Sequence, residues 1–524
     1  MRIRPIREIE KMNPESRALV TAFAACFVLA VCTGSSFSQK PAAGSDQKIL
    51  AEFDRRIERS DLTGLDQALM NFVIANPGNA KALELLARLR SRQGRLPESR
   101  ALYQRVMQLD PKAAAARIHA ARIAYLSGQK DEAHQLLRGV KASELNSTQQ
   151  IELSATYLLA GDLQAAVRIA EDLPPQIRNT VGLPLLGEIY LRLNRLDAVK
   201  DLFPLMKKAV VRSPLVAVGC AEVLRGAGLY EEGIDLLSSL PPQTRNNLGV
   251  LLVLSRLEIM SSDFARARQH LVQAGRLDPN SADVLSMQAF VENSTGNAKQ
   301  ALTLITKARE SAPSSPTVLA DYIALTLRIG KPVLAYEAAQ TLNLLQPENP
   351  ESQYLLGIAA LQSGNLGPAR ETLERYVQSH LSDFRGCLAL GTVFRAQRET
   401  ARARSELTRC NELDPANAEA RLQLGLTYKS EGENKQAIDM LEQVVARAPD
   451  HSLALRELGA LYLESGNDAK AREMLERSAQ ISPRDADTHF QLVRLYNRVG
   501  ETGLAKQHQE IFQKLRGPWG KSAQ

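Results

Sequence analysis

The residues of this chain best equipped for recognition are arginines, and they recur on a fixed spacing. Arg88 and Arg122 stand 34 residues apart, and Arg256 and Arg494 are separated by seven times that interval. A guanidinium is planar, always charged and carries five donors, so a row of them suits carboxylates. For catalysis the sequence offers nothing comparable. It holds no HExxH, no GxSxG, no phosphate-binding glycine loop and no CxxC. Its seven histidines, His119, His134, His270, His380, His451, His489 and His508, are scattered without metal-ligand spacing. The expectation is no catalytic set, no metal and no cofactor, and hence no enzyme. Cys220, Cys387 and Cys410 are an odd number without a framework, so stability does not rest on disulfides, although Cys387 and Cys410 are near enough in sequence to pair.

The elements that must position these arginines follow from a second periodicity. Pro279, Pro313, Pro347, Pro415, Pro449 and Pro483 are 34 or 68 residues apart, and Leu381 fills the missing rung. Fixed-period self-similarity of this length marks a stack of helix pairs. Extending the beat gives fourteen units, starting near 46, 80, 114, 147, 180, 214, 248, 282, 316, 350, 384, 418, 452 and 486. In the unit from 418, Leu422, Leu424, Leu426 and Tyr428 mark a first helix A, and Gly432 a turn. Ala437, Ile438, Leu441, Val444 and Val445 then mark a second helix B at i, i+3 and i+4 spacing, and Pro449 stops it. Small residues at position eight (Gly357, Gly391, Gly425, Gly459) and alanine at position twenty let the helices approach closely. Glycine at position fifteen, as at Gly94, Gly128 and Gly466, ends helix A.

Leu424-Gly425, Tyr428, Ala437 and Pro449, and then Leu458-Gly459, Tyr462, Ala471 and Pro483, resemble the tetratricopeptide repeat (TPR). Arg421 and Leu455 stand where that family carries an early Trp. The resemblance covers about residues 46–516. It implies an all-α fold, a right-handed superhelical α-solenoid of about fourteen such units, with a concave groove lined by A helices that holds other proteins. In that family, positions two, five, nine and twelve of helix A tend to face the groove. The implied groove residues are Arg88, Arg122, Arg256 and Arg494 at position nine, Arg225, Arg395 and Lys429 at position twelve, and Arg456 at position five. Ile118, Leu252, Phe290, Tyr354, Ile358, Leu388, Leu422, Leu426 and Phe490 are the apolar candidates. Together they suit an extended segment with acidic and apolar side chains. No unit combines Lys at position five with Asn at position nine, as the family's chaperone-binding clamp does. The asparagine ladder and catalytic domain of its sugar-transferring members are also missing.

The units from 147 and 214 are less regular. Each carries a Leu-Pro-Pro-Gln, at 173–176 and 240–243, which should shorten helix B by about a turn and change the local curvature or form a hinge. The expected organisation is a signal peptide or anchor at 1–38, a tether at 39–48, an irregular array at 49–247, a regular array at 248–516 and a tail at 517–524.

The N-terminus reads as an export signal. Basic residues precede an apolar run at 18–31, shorter than the roughly 20 residues of a membrane span, and small residues follow it. Cleavage is expected after Ser36 or Ser38, which would make the protein periplasmic or envelope-associated. Cys32 in LAVC resembles a lipidated cysteine, but Val31 occupies a place that is normally small; membrane association through this end is the alternative.

Overall charge is +7 with pI near 9.1, and the charges are interspersed rather than clustered, which argues against nucleic acid. The leading expectation is an exported scaffold or adaptor that binds one or more proteins. The alternative is an accessory subunit of a polysaccharide-export, pilus or secretion machine that contacts polysaccharide directly. Aromatics at 5% weaken it, because sugar rings stack on exposed rings.

Overall fold

A computed structural model describes residues 44–58, 64–210 and 214–516. The signal or anchor at 1–38, with Cys32, residues 39–43 of the tether, and the tail at 517–524 lie outside the described residues; residues 44–48, expected as tether, instead open the first helix, Gly44–Glu58. Within the described residues are thirty α-helices and no strand. They form fourteen A/B pairs plus two one-turn helices, so the helical solenoid expected from the 34-residue beat is what forms.

From residue 248 the pattern is uniform. Helix A occupies the first thirteen positions of each unit, as in Ala418–Ser430, and helix B the fourteen from position seventeen, as in Asn434–Arg447. Only the last helix B, Thr502–Arg516, is a residue longer. Side-chain caps on orphan N–H groups open many A helices. Ser281, Asn349, Asp383, Asn417 and Asp485 all accept from the first turn. At the other end of helix B, the residue before the late proline is extended, as at Asp414 with φ −135° and ψ 83°. Proline forces that geometry on its predecessor and so fixes where the helix ends.

Position fifteen has positive φ in all thirteen units in which it is described. Ten of these residues are glycine; Asn194, Ser262 and Arg398 occupy the other three with φ of 55°, 65° and 63°. The turn between the helices therefore demands the left-handed region even where the sequence does not supply glycine, at about 1–2 kcal/mol for an ordinary L-residue.

The helices of a pair meet at position eight. A Cβ on Gly357, Gly391 or Gly459 would lie 2.5–2.7 Å from the Cγ of Leu373, Leu407 or Leu475; at Gly425 the distance to Leu441 is 3.1 Å. In each case the leucine is sixteen residues on, at position 24 of helix B, so a branched side chain fills the space a glycine leaves. Alanines at position twenty, including Ala335, Ala369, Ala403, Ala437 and Ala471, are fully buried.

The chain divides into two compact units, one ending at Thr295 and one beginning at Gly296. This division falls inside the repeat from 282, whereas repeat regularity changes at 248; the two are different properties. In the first unit the double prolines do shorten helix B, to Leu163–Glu171 and Tyr230–Ser238, and the one-turn helices Pro175–Arg178 and Pro242–Arg245 follow. Leu173 and Leu240, just ahead of the prolines, are buried in a continuous cluster running from Ile151 to Leu257. These turns are thus packed joints with hydrophobic anchors.

Gly391→Ala should force Leu407 and its helix outward and cost roughly 1–3 kcal/mol, the usual range for overpacking. Urea unfolding of the variant checks this, and an unchanged midpoint would show that the close approach is not constraining.

Candidate functional site

Helix A places its positions two, five, nine and twelve on one side, and consecutive A helices bring equal positions side by side. Of the arginines expected at these positions, Arg88, Arg225, Arg256 and Arg456 are already engaged by carboxylates. Arg88 Nη1 is 2.6 Å from Asp54 Oδ1, and Arg256 Nη1 is 2.9 Å from Glu222 Oε1. Both pairs join position nine to position nine, 34 residues apart. Glu222 also accepts from Arg225 Nε at 2.6 Å. Position twelve reaches position six of the next repeat: Lys429 Nζ lies 2.6 Å from Glu457 Oε2, and Arg395 Nε donates to Gln423 Oε1 at 2.8 Å. Arg456 contacts Glu457 at 2.8 Å and Asp485 at 2.9 Å. Arg494 is exposed and donates only locally, to Gln491 at 2.9 Å. Arg122 is half-buried and its charge acts on His119 and Glu152.

The apolar expectations divide. Tyr354, Ile358, Leu388, Leu426, Leu252 and Phe290 are half-buried, and Phe490 is 43% exposed. Ile118 and Leu422, by contrast, are 0% and 1% exposed. These two belong to the core: Ile118 clusters with Ala133, Leu137 and Leu153, and Leu422 with Leu441, Leu455 and Leu458. Tyr354 carries the Arg385 guanidinium 4.6 Å above its ring, and Arg385 reaches Glu351 at 3.2 Å and Asp383 at 3.0 Å. Arg385 and Glu351, both at position two, were not singled out from the sequence. Their signal was available, since acid and base sit at the same position 34 residues apart, as at Asp54/Arg88 and Glu222/Arg256.

A second group missed in the sequence surrounds His119. Its ring stacks on Tyr103 with centroids 5.3 Å apart, and Nε2 is 3.6 Å from Glu152 Oε2. Burial, helped by the charges of Arg88, Arg122 and Lys81 against that of Glu84, lowers the His119 pKa to about 4, and burial raises that of Glu152. On Glu457, burial acts upward, but hydrogen bonds from Lys429 and Arg456 outweigh it and hold the pKa low. Burial holds the Arg395 guanidinium below its ordinary value against the fields of Glu419 and Glu457.

Ser255, Glu258 and His270 share one helix pair, with His270 Nδ1 2.9 Å from Glu258 Oε2. Yet Ser255 is fully buried and its hydroxyl has no hydrogen-bond partner. Among the described residues no cluster of His, Cys, Asp or Glu could hold a metal, and no helix is long and apolar enough to cross a membrane.

His119 gives a pH signature. The folded state resists protonation until about pH 4, whereas the unfolded histidine titrates near 6.5, so stability should fall as pH drops from 6.5 to 4. The loss attributable to this residue is roughly 2–3 kcal/mol at most. His119→Gln should flatten that part of the urea-derived stability profile; an unaltered slope would remove the histidine from the account.

Comparison with known proteins agrees with the geometry. Models described as tetratricopeptide repeat match residues 92–155, 394–454 and 428–494, and a second model of the same description matches 66–114 and 333–382. No curated protein matches. Solved structures similar to this chain include one titled as the APC/C hetero-tetramer Cut9-Hcn1, 14% identical with a TM-score of 0.41 over 86% of this chain and 96% of that one. Another is YrrB, titled a TPR protein with an unusual peptide-binding site, 23% identical with a TM-score of 0.28 over 35% of this chain and 95% of that one. A third, from Parabacteroides merdae, is 17% identical with a TM-score of 0.41 over 50% of this chain and 98% of that one. Within an array of fourteen A/B helix pairs on a 34-residue beat, this chain carries tetratricopeptide repeats at residues 66–155, 333–382 and 394–494.

Proposed function

We propose that this protein is a non-enzymatic scaffold that binds other proteins along the A-helix face of its repeats. Repeats of this kind hold protein partners. The observation that carries the reading is Arg395. It is half-buried on that face, beside half-buried Leu388 on the same helix, and its Nε is held by the neutral amide of Gln423. A guanidinium with a neutral hydrogen-bond partner in a partly desolvated place gains from a carboxylate brought by a ligand. The occupant that fits is an extended or helical segment with alternating acidic and apolar side chains.

Direct contact with polysaccharide is the weaker reading. Tyr103, Tyr376, Tyr462, Tyr496 and Phe394 are each no more than 6% exposed. Rings that fill the core cannot stack on sugars.

We place the scaffold in the cell envelope on the basic, apolar and small-residue sequence of residues 1–38. Protease added to intact cells, or to cells with a permeabilised outer layer, tests this; a pool protected with the cytosolic proteins would overturn it.

Partners recovered by affinity purification of the full chain from its native envelope provide the reagent for the groove. Arg395→Glu should weaken recovery of a groove ligand at least about tenfold, the effect of roughly 1.4 kcal/mol. Arg375→Glu, on an exposed helix B position, should leave it unchanged. Equal recovery of every partner by both variants would sink the assignment.

A further inference from the structure

Two thiols converge in the repeat from 384. Cys387 lies on helix A, Phe384–Ala396, and Cys410 on helix B, Thr400–Leu413. Both are fully buried, and both donate to one acceptor, the carbonyl oxygen of Phe384, at 3.1 Å from Cys387 Sγ and 3.3 Å from Cys410 Sγ. Around them are Ala420 of the next repeat and the side chains of Phe384 and Leu388. Cys220, by contrast, is buried in the separate cluster of the first compact unit.

Burial of both thiols resists formation of either thiolate, and the Arg409 charge favours it at both. Arg409 Nε is buried without a hydrogen-bond partner beside this pair, although its other nitrogens bind Glu406 and the Leu381 carbonyl. Thiol–disulfide exchange needs one thiol that reaches the thiolate first and a second poised to displace the leaving group.

We propose that Cys387 and Cys410 are a redox modification site: they close a disulfide that clasps helix A to helix B within this one repeat. The reaction is exchange with an external disulfide such as oxidised glutathione. The Cys387 thiolate attacks one sulfur and releases one glutathione thiolate. Cys410, as thiolate, then attacks the Cys387 sulfur of the mixed disulfide and releases the second. Two protein thiols lose two protons and two electrons; one glutathione disulfide gains them and becomes two thiols. Because neither sulfur is exposed, exchange occurs before the repeat closes during folding or when this helix pair opens. Once formed, the clasp adds a covalent tie to two helices that otherwise meet through packing, as at Gly391 against Leu407, and through the hydrogen bond from Cys410 to Phe384.

The test is refolding of the full reduced chain from denaturant in a glutathione redox buffer, followed by alkylation, trypsin and mass spectrometry. The expected product joins peptides 386–395 and 410–421, two mass units below the reduced pair, with Cys220 alkylated. The oxidised protein should also melt at a higher temperature than the reduced one, and the difference should vanish in Cys387→Ala and Cys410→Ala. If either alanine variant refolds poorly, Cys387→Ser and limited proteolysis of the wild-type oxidised and reduced forms give the same comparison. Alkylation of both cysteines after oxidative refolding, or pairing of either with Cys220, would overturn the proposal.

Discussion

The approach of two helices at position eight sets the dimensions of the regular repeats. Where that position is glycine, the position-24 leucine occupies the space of the missing side chain, with clearances no Cβ could share at Gly357, Gly391 and Gly459 and a tight 3.1 Å at Gly425. This fixes the distance between helices A and B to that of a leucine against bare backbone. In two of the earlier pairs a serine hydrogen bond does similar work. Ser154 Oγ donates to the Ala166 carbonyl across one pair, and Ser99 Oγ, on helix B, donates back to the Ala87 carbonyl in another. A buried hydroxyl so paired incurs no desolvation penalty and keeps the helices close.

Uniform spacing within pairs makes the spacing between pairs uniform, and the charge rows depend on that. An acid at position nine meets a base at position nine of the next repeat because equal positions are neighbours on adjacent A helices. Other contacts between successive repeats join unequal positions: Arg370 reaches Glu399 at 2.8 Å, and Tyr496 Oη on helix A donates to Glu476 on the preceding helix B at 2.7 Å. Exposed ion pairs of this sort contribute about 0–1 kcal/mol each. Their larger consequence is to leave a face whose charges are mostly satisfied. A partner must either exchange with existing pairs or use the few cations, such as Arg395, whose hydrogen bond goes to a neutral group. Row-by-row matching of that kind gives specificity more than affinity.

The irregular middle shows how a solenoid tolerates broken rules. Gly187 and Gly233, at positions eight and twenty of their units, would clash with Val223 and Leu257 of the following unit. Close contact there has moved from within the pair to between pairs, and the double-proline turns cap helices B that are five residues shorter than the regular fourteen. The continuous core over this stretch replaces the modular cores of the later repeats.

The sequence by itself determined the period, the number of repeats, the helix boundaries and the left-handed turn, because each is a local property: proline's missing N–H, glycine's freedom, and apolar spacing along one helix. It also placed the arginines on helix A. It did not reveal that Asp54, Glu222, Glu457 and Asp485 already hold most of them, that position five buries Ile118 and Leu422, or that Tyr103, His119 and Glu152 form a cluster. Nor did it show that Cys387 and Cys410 share one carbonyl. Those facts depend on which residues of different repeats are brought within a few ångströms, and that distance is set by helix packing, which only the tertiary structure decides.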